Sequence, residues 1–225
     1  MLKILLAFLG TILLTTVLTT LTAIDLQKNH IFTIARGHGN GRFQLMAMGD
    51  TERVMESERV VFDFSETSDR EQWRPINDTV MGGISESQLQ ASKDGHALFT
   101  GYVSLENYGG FASLQSKPSN YDFSGYKGIL IRLKGDGKRY KLSMKNNTFL
   151  DSPRYEAAFI TENGVWSTIR IPFHTMVPTF RGTVLTNESA LDIANVTSFA
   201  LLISDKQEGP FQLEIDWIKA YRSDS

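Results

Sequence analysis

Carboxylates are the residues whose types and spacing come nearest to a chemical device in this sequence. Asp205, Glu208, Glu214 and Asp216 fall within a short span near the C-terminus. Such a group could hold calcium, which takes about six to eight oxygen ligands, or supply the acid and nucleophile of a glycosidase. No EF-hand spacing accompanies them, and a chain with 25 acidic residues offers carboxylate pairs by chance. His30, His38, His96 and His174 stand far apart with no H-E-x-x-H pattern, so zinc is not expected. Cysteine is missing altogether, which removes disulfides, thiolate ligands and a cysteine nucleophile. Gly83-Ile-Ser-Glu-Ser87 lacks the second glycine of a nucleophile elbow, and Gly37-His-Gly-Asn-Gly41 lacks the spacing and following helix of a dinucleotide fingerprint. The expectation is a chain with no catalytic residues, no cofactor and no metal.

Recognition is the chemistry left, and loops are where a rigid scaffold carries it. Asn77-Asp-Thr-Val-Met-Gly-Gly83 follows Trp73 and Pro75 and reads as a loop entering a strand. Two readings of it are open. Asn77 or Asp78 could close an Asx turn on the backbone, or Trp73, Asn77, Asp78 and Met81 could form part of a recognition surface. Gly82 and Gly83 would then supply positive φ or a close backbone approach. Gly109-Gly110, after Tyr108, reads as a strand opening at a bulge or beside another segment. Ser204-Asp-Lys-Gln-Glu-Gly-Pro210 reads as a hairpin loop whose Asp205, Lys206 and Gln207 either keep it solvated or bind a partner.

The elements that must position these loops are strands. From Val60 onward, short runs of β-branched and aromatic residues are punctuated by Gly, Asn, Asp and Pro about every ten residues. Strands are expected at 60–64, 97–103, 110–115, 128–134, 139–145, 156–161, 166–171, 198–203 and 211–220, with single helical turns near 173–176 and 190–193. Phe211, Leu213, Ile215 and Trp217 alternate with polar neighbours, which puts all four on one core face. Gly135-Asp-Gly137 supplies the positive-φ positions of a tight hairpin, which would pair 128–134 with 139–145. No repeat of solenoid or propeller length is evident.

Composition agrees with a domain of this kind. Apolar residues make up 41% and charged residues 21%, and the 14 Phe, 7 Tyr and 3 Trp favour sheet over helix. A compact part of about 150 residues can bury roughly 68–70% of its unfolded surface, so no covalent staple is needed. The net charge of −2 offers nothing to attract nucleic acid. Lys3 precedes a dense apolar run from Ile4 to Leu14, and a threonine-rich stretch leads to Ala23. Residues 1–23 therefore read as a signal peptide or signal anchor, giving membrane proximity and an exported or anchored, extracytoplasmic protein. Residues 24–59, with Gly37, Gly39 and Gly41, read as a linker before a sandwich over 60–222. A transit-like signal built on Lys28, Arg36 and Arg42 keeps a mitochondrial location as the alternative.

Five motifs taken in order, Asn77–Ser85, Gly109–Ser113, Gly135–Tyr140, Ile171-Pro-Phe173 and Ser204–Phe211, resemble those of the thirty-kilodalton complex I intermediate-associated protein family, over roughly Val61 to Tyr221. The resemblance implies an all-β antiparallel sandwich, a jelly roll of the galactose-binding-like type, and a chaperone-like protein that is not an enzyme. It also implies protein partners, respiratory complex I subunits or intermediates. By fold analogy Tyr108 and Phe111 would line a groove. A glycan ligand, as in an exported carbohydrate-binding module, is the alternative, to be recognised by exposed aromatics among Trp73, Tyr102, Tyr108 and Tyr155.

Overall fold

The computed structural model describes residues 57–149 and 151–222. The apolar segment over 1–23 and nearly all of the expected linker over 24–59 lie outside them. Thirteen strands, all paired antiparallel, form two sheets among the described residues. The six-stranded sheet contains β1 (Glu58–Asp63), β3 (Glu86–Ala91), β4 (Ala97–Val103), β6 (Gly128–Lys134), β9 (Trp166–Pro172) and β13 (Gly209–Tyr221). Its order is β3-β4-β13-β6-β9, with β1 alongside the second half of β13. The seven-stranded sheet contains β2 (Trp73–Asn77), β5 (Ala112–Ser116), β7 (Arg139–Lys145), β8 (Arg154–Ile160), β10 (Val177–Phe180), β11 (Thr183–Val184) and β12 (Ser198–Ile203), in the order β11-β10-β8-β7-β12-β5-β2. Among the described residues helix is confined to one turn, α1 (Thr67–Arg70), and three 3₁₀ turns, at Asp78–Met81, Glu106–Tyr108 and Phe173–Thr175.

Alternation explains why these runs become strands: each presents one apolar row to the space between the sheets. Ile129, Ile131 and Leu133 of β6 face Tyr140, Leu142 and Met144 of β7 across a core in which all six are fully buried. Aromatic rings fill much of the rest. Phe62 meets Trp73 edge-on at 5.0 Å and Phe199 at 5.6 Å, and Phe99 meets Phe211 at 4.9 Å.

Three expectations need correction. β6 and β7 are not a hairpin: they lie in different sheets, and Gly135-Asp-Gly137 is a corner between them. Asp136 holds that corner by accepting from the amides of Lys138 and Gln212 and from the Tyr140 hydroxyl. Likewise β12 and β13 belong to opposite sheets, so residues 204–208 arch over the end of the sandwich. Trp217 leaves the core face, because the pairing of β13 with β6 slips at a bulge between Ile215 and Trp217. Beyond the bulge Ile218 and Ala220 turn inward, fully buried, and Trp217 lies outside under the Lys219 ammonium at 4.4 Å.

Candidate functional site

Strand register brings the sequence motifs together. β2 ends at Asn77 opposite Ala112, the first residue of β5. β12 ends at Ile203, opposite Ala112 on one side and Tyr140 near the start of β7 on the other. β13 begins at Gly209 opposite Val103, the last residue of β4. The segments 78–85, 104–111, 135–138 and 204–208 therefore leave the sheets at one end of the sandwich.

Asp78 organises that end. Its side chain is 1% exposed and accepts four hydrogen bonds: from the Ser85 hydroxyl at 2.6 Å, the Ser85 amide at 2.9 Å, the Gly110 amide at 2.7 Å and the Phe111 amide at 3.2 Å. Burial pushes the carboxyl up, but the Ser85 hydroxyl and the three amides together outweigh it and hold the group below its ordinary 3.8. Ser85 in turn accepts the Ser104 amide at 3.0 Å, so the carboxylate ties two loops and the ends of three strands.

The glycines of these motifs fit around that carboxylate. A Cβ on Gly83 would lie 2.4 Å from Asp78 Cγ, and one on Gly109 would lie 2.6 Å from Asp78 Oδ2. Gly82 at φ 94° and Gly110 at φ 131° take the positive-φ positions beside them. No Asx turn forms. Asp78 bonds to distant segments instead, and Asn77 Oδ1 accepts the Ser87 hydroxyl at 2.5 Å.

The arch over 204–208 is fastened separately. Gln207 donates to the carbonyls of Arg139 and Ser204 and accepts the Arg139 amide at 2.9 Å. Asp205 pairs with Lys141 at 2.7 Å. Burial raises its carboxyl, and the Lys141 hydrogen bond and charge, with Ser204 and Arg139, bring it below the ordinary value. Asp205 and Lys206 both adopt left-handed backbone, at φ 62° and 58°, and Lys206 is exposed.

The expected recognition residues thus divide. Trp73 is a core residue, 5% exposed, and Asp78 is internal, so neither offers a side chain to a partner. Asn77, Phe111 and Gln207 are half-buried. Met81 is 62% exposed, and Tyr108, at φ 60°, is fully exposed. Sequence reasoning missed their apolar neighbours Ile84 and Leu105, which are also exposed. The signal was present only in part: Ile84 lies inside the Asn77–Ser85 motif, but its outward direction depends on the Asp78 anchorage.

The other carboxylates scatter. Glu214 pairs with Lys134, and Asp216 with Arg132 at 3.0 Å, on the outer face of the six-stranded sheet. On the outer face of the seven-stranded sheet, Glu156, Ser143, Ala200 and Gln115 form one row across β8, β7, β12 and β5. Burial raises the Glu156 carboxyl against the lowering charges of Lys141 and Arg154. That row contains no aromatic ring on which a sugar could stack, and Tyr155 is buried in the core at 7% exposure.

The model of a family described as Complex I intermediate-associated protein 30 matches residues 62–215. A mouse protein named Complex I intermediate-associated protein 30, mitochondrial, is 30% identical over 190 residues, covering 76% of this chain and 58% of the relative. Its Drosophila melanogaster namesake is 27% identical over 181 residues, covering 71% of this chain and 61% of the relative. The chain thus spans about three fifths of these relatives' length. Among solved structures, the family 11 carbohydrate-binding module of a Clostridium thermocellum cellulase superposes with a TM-score of 0.55 at 18% identity, covering 74% of this chain and 95% of the module. The likeness supports the jelly-roll, galactose-binding-like architecture and nothing beyond the fold.

Proposed function

The chain belongs to the Complex I intermediate-associated protein 30 family, and from that membership we propose that it is a non-enzymatic, chaperone-like binding protein that holds a subunit or intermediate of a respiratory membrane complex during assembly. The observation that carries this reading is the end organised by Asp78. It presents Met81, Ile84, Leu105 and Tyr108 to solvent on loops fixed to a buried carboxylate. Exposed apolar residues on fixed loops lose little conformational freedom when a partner covers them, which favours binding. The mitochondrial names of the relatives favour the mitochondrial alternative over export. A glycan role gains less support: of the four aromatics that would mark it, Trp73 and Tyr155 are buried.

The test is capture from mitochondrial membrane extract of the host, with bound proteins identified. The double variant Met81→Ser with Tyr108→Ala should keep the wild-type thermal midpoint and recover at least tenfold less of the complex I subunits, since truncated aromatic anchors cost about 2 kcal/mol or more. Recovery of those subunits by neither protein, or equally by both, would count against the proposal.

A further inference from the structure

A second feature lies at the opposite end of the sandwich, where β1 and β13 meet. Glu58 pairs with Tyr221 there, and the Arg222 amide bonds to the Ser57 carbonyl at 2.9 Å. Beside this junction is a cleft of about 420 Å³ lined by Tyr126, Lys127, Pro172, Phe173, His174, Ile193 and Tyr221. This volume is within the range of small-ligand sites, about 300–1,000 Å³. Backbone bonds make the walls rigid: the Lys127 amide donates to the Tyr221 carbonyl at 2.8 Å, and the Phe173 amide to the Lys127 carbonyl at 2.9 Å.

The walls are largely apolar and aromatic, and guanidinium groups lie over two of their rings. Guanidinium carbons of Arg59 and Arg222 lie 4.7 and 4.6 Å from the Tyr126 ring centroid, and that of Arg170 lies 4.0 Å from the Tyr221 ring. Lys127 places a basic side chain in the lining itself. Among the described contacts, Arg59 uses one guanidinium donor on the Asp122 carbonyl and Arg222 one on the Tyr126 hydroxyl, of five donors apiece. Asp122, whose side chain accepts the Ser124 amide, is a carboxylate beside Arg59, and the neighbouring Glu58 pairs with Lys219 at 3.1 Å.

We propose that this cleft binds a phosphate-bearing amphiphile, with the phosphate of an acidic phospholipid among Arg59, Lys127 and Arg222 and its first apolar carbons against Phe173, Pro172 and Ile193. Arginine forks match phosphate geometry in two-pronged fashion, and their stacking on Tyr126 orients the forks before a ligand arrives. Basic pockets with an apolar floor are suited to acidic lipid head groups, because charge selects the head and the floor selects a molecule with a tail. A free phosphate would use only the basic groups.

The experiment titrates the full-length chain with dihexanoyl phosphatidylglycerol below its micelle concentration, with the phosphatidylcholine analogue and with inorganic phosphate. The expected result is saturable binding of the acidic lipid, at least tenfold tighter than either of the others. Lys127→Glu with Arg222→Glu should weaken it at least tenfold, and Ile193→Trp, which fills the cleft without changing its charge, should do the same. Arg222→Gln alone, with the thermal midpoint as control, decides the charge question if the double reversal fails to fold. Inorganic phosphate binding as tightly as the lipid would overturn the amphiphile in favour of a free anion. Unchanged lipid affinity in Ile193→Trp would reduce the effect to surface electrostatics and overturn the cleft.

Discussion

Asp78 accepts four hydrogen bonds, from residues 85, 110 and 111, and so joins two loops through one side chain. Removing it takes the acceptor from the buried Ser85 amide and the part-buried Gly110 and Phe111 amides, and leaves the Ser85 hydroxyl only its longer bond to the Ser104 carbonyl. Asp78→Ala should therefore lower stability by about 3 kcal/mol or more, given roughly 1.5–3 kcal/mol for each hydrogen bond to a charged group and incomplete additivity; chemical denaturation measures it, and a loss below about 1 kcal/mol would show the loops to be held by other means. The pH dependence has a fixed sign. A carboxyl held below 3.8 when folded contributes stability that is fully present above that value and is lost as pH falls through the lower folded value. The stability difference between wild type and Asp78→Asn should accordingly shrink on acidification below about pH 4. The sequence marked Asp78 as notable but did not reveal its use, since donors 32 and 33 residues away leave no local pattern.

At the scale of elements, what sequence pattern reveals is set by how much of a strand is buried. β4, β6, β7 and β12 were legible to the residue, because each carries an apolar row that cannot be placed otherwise. β2 and β3 escaped notice: they are edge strands, Trp-Arg-Pro-Ile-Asn and Glu-Ser-Gln-Leu-Gln-Ala, with few buried side chains and, in β2, a proline tolerated only at an edge. Turn chemistry was legible, and sheet membership was not. Gly137 takes the positive φ, 88°, that the turn was expected to need, whereas Gly135 is small because a Cβ there would meet Thr161 at 2.3 Å, and nothing local says whether the next strand joins the same sheet or the facing one. The bulge in β13 is the same lesson within one strand, and it reverses which residue carries the packing. Ile218→Ala should cost about 2–5 kcal/mol, and Trp217→Ala under about 1.5 kcal/mol; thermal or denaturant unfolding of the pair decides, and the opposite ranking would place the bulge elsewhere. Gly83→Ala belongs to this scale too, because its Cβ would overlap Asp78 Cγ at 2.4 Å and force the 78–85 loop away from the 104–111 loop. A destabilisation of about 1–3 kcal/mol by denaturant titration is expected.

For the whole described unit, the two sheets separate two surfaces of different chemistry: apolar loops at the end organised by Asp78, and a cationic aromatic cleft where β1 meets β13. On the two proposals above, rigid sheets hold such ends at fixed spacing, so that one scaffold brings a protein and an anionic amphiphile together. That arrangement predicts additivity. Variants at the two ends share no partners, so their free-energy effects on either ligand should sum within about 0.5 kcal/mol. Met81→Ser with Tyr108→Ala should leave acidic-lipid affinity unchanged, and Ile193→Trp should leave capture of the protein partner unchanged in lipid-free detergent extract. The combined variant should lose both by the same factors as its parents. Coupling above that limit, read from affinities of the four proteins for each ligand, would mean that the sandwich transmits between its ends and would replace two independent sites with one linked device.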